Sequence, residues 1–161
     1  MQMRLIGYLL LLVSSLAWGD NVQEGKDEAQ ELMDSVLPFA EQMLNKHGEF
    51  IPYGGAMKSN GEIISVAGTD GEEQPKSANI TEILQDGFRN EAKNGTYKAT
   101  AIVYDVRIRS PETGDASDAI AIALDHKSGY SVVVLLPYTL ENGQLEYGQI
   151  SAQAGENSVF K

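Results

Sequence analysis

Three consecutive runs decide how this chain folds: KATAIVYDVRI (98–108), DAIAIALDH (118–126) and YSVVVLLPYTL (130–140). All three alternate, and side chains of a strand point to opposite faces with period two. In the first run Thr100, Ile102, Tyr104, Val106 and Ile108 fall on one face. Ala99, Ala101, Val103, Asp105, Arg107 and Arg109 fall on the other. In the second, Ile120, Ile122 and Leu124 share a face that His126 continues, and Ala119, Ala121 and Ala123 share the opposite face with Asp125. In the third, Tyr130, Val132, Val134 and Leu136 alternate with Ser131, Val133 and Leu135. The runs predict the middle of an antiparallel sheet with one large aliphatic face and one partly paved with alanine. Such a small-residue face either lets a helix approach closely or forms a weakly buried outer surface.

The connections read as hairpins. His126-Lys127-Ser128-Gly129 is a tight link, and Asn142-Gly143 tolerates the left-handed backbone of a type I′ turn. Asn142-Gly143 leads into a short fourth strand at 145–152. The polar loop SPETGDAS at 110–117 suits contact-making more than packing.

Upstream, Ala29, Leu32, Met33, Val36, Leu37, Ala40, Met43 and Leu44 recur at spacings of three and four. They predict an amphipathic helix from residue 27 to about 46, stopped by Gly48 and bent or split near Pro38. Residues 50–58 and 62–68 flank Asn60-Gly61, a second hairpin signal, with Gly54-Gly55 marking a bulge or a close backbone approach. Asn79 and Glu82 read as a capping box opening a second helix with Ile80, Ile83, Leu84 and Phe88 on its apolar side. The order predicts the α+β class: an antiparallel sheet of about six strands, α-β-β-α-β-β-β-β, with two helices packed mainly on one face. The alanine face is left to solvent, a subunit or the second helix.

Residues 1–19, MQMRLIGYLLLLVSSLAWG, have a basic start at Arg4, an apolar core and small residues before a cut after Gly19 or Ala17. This is the pattern of a secretory signal peptide, which leaves residues 20–161 as one domain and predicts a periplasmic or secreted protein. The apolar run is short of the ~20 residues that span a bilayer, so no membrane association is expected after cleavage. The chain carries 23 acidic and 12 basic residues, a net charge of −11. That balance argues against nucleic acid and favours a basic partner or plain solubility. With no cysteine, thiol nucleophiles, thiolate metal sites and disulfides are excluded.

The stretches FIPYGGAMKSNGEI (50–63) and DAIAIALDHKSGYSVVVLLPY (118–138) resemble small exported bacterial α+β proteins of unknown function. The order of elements also resembles roadblock and profilin-like modules, which implies a small binding fold and carries no site residues.

The two histidines, His47 and His126, lack the spacing of a zinc site, and no metal or cofactor is expected. Asp125 and His126 are neighbours on a strand and face opposite ways, so they do not form a base with its orienter. A hydrolase using His126 with Asp125 or Asp105 ranks third among the functional readings. The residues expected to contact a ligand or partner are Tyr53, Tyr104, Asp105, Arg107, Arg109, His126 and Tyr138. Asp105, Arg107 and Arg109 share a strand face where charges pair or grip an anion, and tyrosines serve pockets and partner surfaces. The leading expectation is an exported, non-catalytic binding or protein-interaction module. The alternative is a small-ligand sensor or carrier with a cavity between the first helix and the sheet. A sheet edge or the alanine face offers a surface for a homodimer.

Overall fold

A computed structural model describes residues 17–110 and 113–161. The expected leader lies almost wholly outside the described residues, as do two residues of the loop at 110–117. Helix α1 spans Ala17–His47, strands β1 and β2 span Tyr53–Lys58 and Ile63–Ala67, and helix α2 spans Ser77–Lys93. Strands β3, β4 and β5 span Tyr97–Arg109, Ala116–His126 and Ser131–Glu141. Two short strands follow, β6 at Gln144–Tyr147 and β7 at Ser151–Ala154. The sheet order is β2-β1-β3-β4-β5-β6, with β7 pairing β5 beside β6. All pairings are antiparallel. The α+β class and the central meander are as the alternation requires.

The helices divide between the two faces, which corrects the expectation that both lie mainly on one. Gly54 and Gly55 show it. A side chain at Gly54 would meet the Phe88 ring of α2 at 2.6 Å, and one at Gly55 would meet Val36 of α1 at 2.4 Å. Neighbours on a strand point opposite ways, so the two helices approach the sheet from opposite sides. The glycine pair marks two close approaches; the bulge in β1 lies at Met57/Lys58.

The α1 stripe makes the larger core. Ala29, Leu32, Val36, Ala40 and Leu44 are buried against Ala101, Val103, Ile120, Ile122 and Leu124. Removing Leu32, Val36 and Leu44 from water contributes roughly 1.5–3 kcal/mol each. The opposite core is smaller: Ile80, Leu84 and Phe88 of α2 pack on Ala56 and Ile102, and Val159 of the tail joins them. Ala119 and Ala121 are fully buried within the single chain. That part of the alanine face is therefore closed to a second copy, while Ala123 stays half-buried and β2 is left as a sheet edge.

Local features depart from expectation for identifiable reasons. Pro38 lies inside α1 without ending it. The Tyr53 hydroxyl accepts from the Ala40 N–H at 3.0 Å and donates to the Val36 carbonyl at 2.5 Å. In an unbroken helix those two groups bond each other, so the phenol is inserted where the proline ring loosens the ladder. Asn79 does not cap α2. The cap position is Lys76, with no side-chain hydrogen bond, and Asn79 instead donates to Asp70 at 3.3 Å. The expected fourth strand is cut in two after Tyr147. At that point the Gly148 N–H turns to the Pro137 carbonyl at 2.8 Å, and pairing resumes with Ser151 opposite Leu135.

Candidate functional site

The seven residues expected to make contacts separate into five places. Tyr53 is in the core, its hydroxyl held by α1, and burial pushes its pKa up to about 12. It is a structural residue. His126 is also buried, at 2 % exposure. Tyr104 faces the α2 side. Asp105, Arg107 and Tyr138 do come together, in a recess beside Gly48 and Asp118 near the C-terminal end of α1. There the Tyr138 hydroxyl donates to Asp105 at 3.0 Å and Arg107 pairs with Asp118 at 3.1 Å. Burial raises the Asp105 pKa, and the nearby Asp118 charge adds to it, against the Tyr138 hydrogen bond. Arg109 lies beyond them and donates to the Gly114 carbonyl at 3.1 Å. Both arginines are engaged within the β3–β4 hairpin, so the set is a salt-bridged outer face and not an anion grip.

His126 belongs to a network that long sequence separation hid. Its Nε2 lies 2.8 Å from Glu28 of α1, and Lys98 of β3 pairs with the same carboxylate. The Ser128 backbone N–H donates to Nδ1 at 3.0 Å, which places the ring proton on Nε2, donated to Glu28. The Ser128 hydroxyl is also 2.8 Å from Nδ1. A hydroxyl, an imidazole and a carboxylate therefore converge, as in a nucleophile relay. Their surroundings do not suit one. A side chain at Gly25 of α1 would collide with the Ser128 oxygen, so the helix backbone packs directly on the half-buried Ser128 hydroxyl from that side. The partner of His126 is Glu28, not Asp125 or Asp105. The arrangement is a clasp tying α1 to the β4–β5 corner. Burial pushes the Glu28 pKa up, but the hydrogen bonds from Lys98 and His126 and the Lys98 charge outweigh it, and the net shift is downward.

On the far side of the sheet Asp125 does similar work for the tail. It accepts from the Ser131 hydroxyl at 2.6 Å, the Val159 N–H at 3.0 Å and the Ser158 hydroxyl at 3.4 Å. Gln85 and Arg89 of α2 donate to Ser158 as well, at 2.6 and 2.8 Å. The tail is thus strapped between α2 and the sheet. Below the strap α2 does not reach across the alanine face, and a recess of about 320 Å³ stays open. Gln85, Tyr104, Ala123, Asp125, Val133 and Ser158 help to line it. This recess lies against the second helix and not, as expected for a carrier, between the first helix and the sheet.

The solvent side of α1 carries the most one-sided charge. Asp20, Glu24, Asp27, Glu31 and Asp34 follow one another at spacings of four and three, and all five are exposed. That spacing stacks them in a single row along the helix, opposite the buried stripe. Gln23 and Gln30 donate to Asp27 and Asp34, both at 2.8 Å, and no exposed ion pair to a lysine or arginine relieves the row among the described residues. The row repeats with the same three-four spacing as the apolar stripe, so it too is legible in the sequence.

No group of three or more histidine and carboxylate side chains among the described residues is placed to hold a metal ion, and no described helix is long and apolar enough to cross a membrane. No family model, curated protein or solved structure matches this chain.

Proposed function

We propose that this is an exported, non-catalytic interaction module that binds a protein with a basic surface through the outer side of α1. The observation that carries it is the acidic row from Asp20 to Asp34. Like charges at helical neighbour spacing cost about 0.2–0.5 kcal/mol per pair, so four neighbouring pairs work against the helix by roughly 1–2 kcal/mol. A cationic partner surface reverses the sign of that interaction and speeds encounter. The expected signal peptide and the acidic composition support the same reading. So does the closure of the Glu28–His126–Ser128 cluster under Gly25.

The experiment is capture from the periplasmic or secreted fraction of the source cells. The bait is the mature protein, compared with a variant carrying Asn or Gln at the five positions. The expected result is a basic protein retained at ~0.05 M salt and released at ~0.5 M, where screening is short-ranged, and not retained by the neutral variant. Equal capture by both baits, or capture indifferent to salt, removes the reading.

A further inference from the structure

We propose that the recess between α2 and the alanine face is a binding site for a small organic amine, held as its cation. The site is separate from the α1 row and lies on the other side of the sheet.

Three observations lead there. The first is shape. Ala123 puts a low floor in the sheet, between the larger Ile102 of β3 and Val133 of β5 in register beside it. The length of α2 leaves that floor uncovered, and the β7–tail segment walls its far side. A volume of about 320 Å³ is at the lower end for small-molecule sites and suits a single ring or a short chain.

The second is charge. Asp125 lines the recess at 8 % exposure and Glu156 stands at its rim. No lysine or arginine lines it among the described residues. The nearest guanidinium, Arg89, is spent on the Ser158 carbonyl and on Asp86. A cation entering the recess therefore meets negative charge in a place poorer in water than the surface, where the interaction is stronger.

The third is unused capacity. An ionised carboxylate offers about four acceptor positions. Asp125 has three partners, Ser131, Val159 and Ser158. One position remains, and an ammonium group donates without accepting. Tyr104 adds an aromatic wall of the kind that attracts organic cations, while Ile102 and Val133 give the apolar body contact.

Isothermal titration of the purified protein with benzylamine, benzyl alcohol and benzoate at pH 7 tests this, since the three share a ring and differ in charge. The expected order is benzylamine at least about tenfold tighter than benzyl alcohol, the worth of a charge-assisted hydrogen bond, and no binding of benzoate. Ala123→Leu fills the floor without altering surface charge and is expected to weaken benzylamine at least about tenfold. Should that variant fail to fold, Tyr104→Leu is read in its place. Three results overturn the proposal: no benzylamine binding, equal binding of amine and alcohol, or unchanged benzylamine affinity in the folded variant. The last would put the amine on the acidic surface instead.

Discussion

Replacing Tyr53 with Phe removes one oxygen atom and should destabilise the fold by about 2–6 kcal/mol, far more than its size suggests. The ring stays, with its edge-on contacts to Phe39 and Phe50 at 4.8 and 6.1 Å. What is lost is the bridge between the Val36 carbonyl and the Ala40 N–H. If the proline ring keeps that turn of α1 open, two buried backbone groups lose their partner, at about 1–3 kcal/mol each. If the turn closes on itself, the two groups bond each other and the cost falls to about 1 kcal/mol or less. Urea unfolding separates the cases: with a slope of roughly 1–3 kcal/mol per molar, the larger loss moves the midpoint by about 1 M or more. The control is the same change in a Pro38→Ala background, where an unrestrained helix needs no phenol. There Tyr53→Phe should cost at least about 1 kcal/mol less, as a double-mutant cycle reads it. A loss below about 0.5 kcal/mol with Pro38 in place, or identical losses in both backgrounds, refutes the insertion of the hydroxyl into the helix ladder.

Glu28→Gln should destabilise the protein at pH 7 by removing the carboxylate shared by Lys98 and His126. Because the folded Glu28 pKa is lowered, its contribution is present above the unfolded carboxylate range and is lost as pH falls through the folded value. The melting temperatures of the two proteins should therefore converge below about pH 4, and a constant gap would refute the linkage. Asp105→Asn has the opposite sign. A raised carboxyl pKa favours the fold at low pH and disfavours it as pH rises through the folded value, so the variant should equal or exceed wild type at pH 7. A clear loss of melting temperature there would refute it. The glycines of the two helices should also part company in unfolding measurements. Gly87→Ala meets nothing within 4 Å and should stabilise by about 0.5–1 kcal/mol. Gly25→Ala drives a methyl into Ser128 and His126 and should cost about 1–3 kcal/mol, despite the better helix residue. A gain at Gly25 would mean that α1 does not sit on the clasp as described.

Periodicity carried most of the fold. Strands β3 to β5 and the buried stripe of α1 follow from alternation and three-four spacing, since each face had to be apolar to be covered. Which face α2 would take was not in those patterns. Ile102 and Val103 are equally apolar neighbours, and only the Gly54-Gly55 pair, bare toward Phe88 on one side and Val36 on the other, distinguishes two helices on two faces. The sites were harder to read, because their partners are far apart in the chain. Glu28, Lys98 and His126 meet only after the fold exists, and each alone is an ordinary polar residue. Tyr53 and His126 stood out by type and proved structural. The acidic row is legible in the three-four spacing of its carboxylates, which mirrors the apolar stripe on the opposite side of α1.

The two proposed contacts share one electrostatic logic, although different faces carry them. Net negative charge acts over the whole surface and selects cations of any size, while screening limits it to roughly 8–10 Å at physiological salt. The exposed α1 row lies within that layer, so the contact proposed for it would govern encounter and be released by salt. Asp125 lies beneath the tail, where solvent ions screen less. On the two proposals taken together, an acidic exterior gathers positive charge and an acidic recess holds only what fits over Ala123. The polar clusters that look most like chemistry are different in kind. Glu28 with His126, and Asp125 with Ser158, each join segments distant in sequence, and a carboxylate held by two or three donors favours holding over bond-making. With no cysteine in the chain, such clasps do part of the fastening that disulfides do in many exported domains.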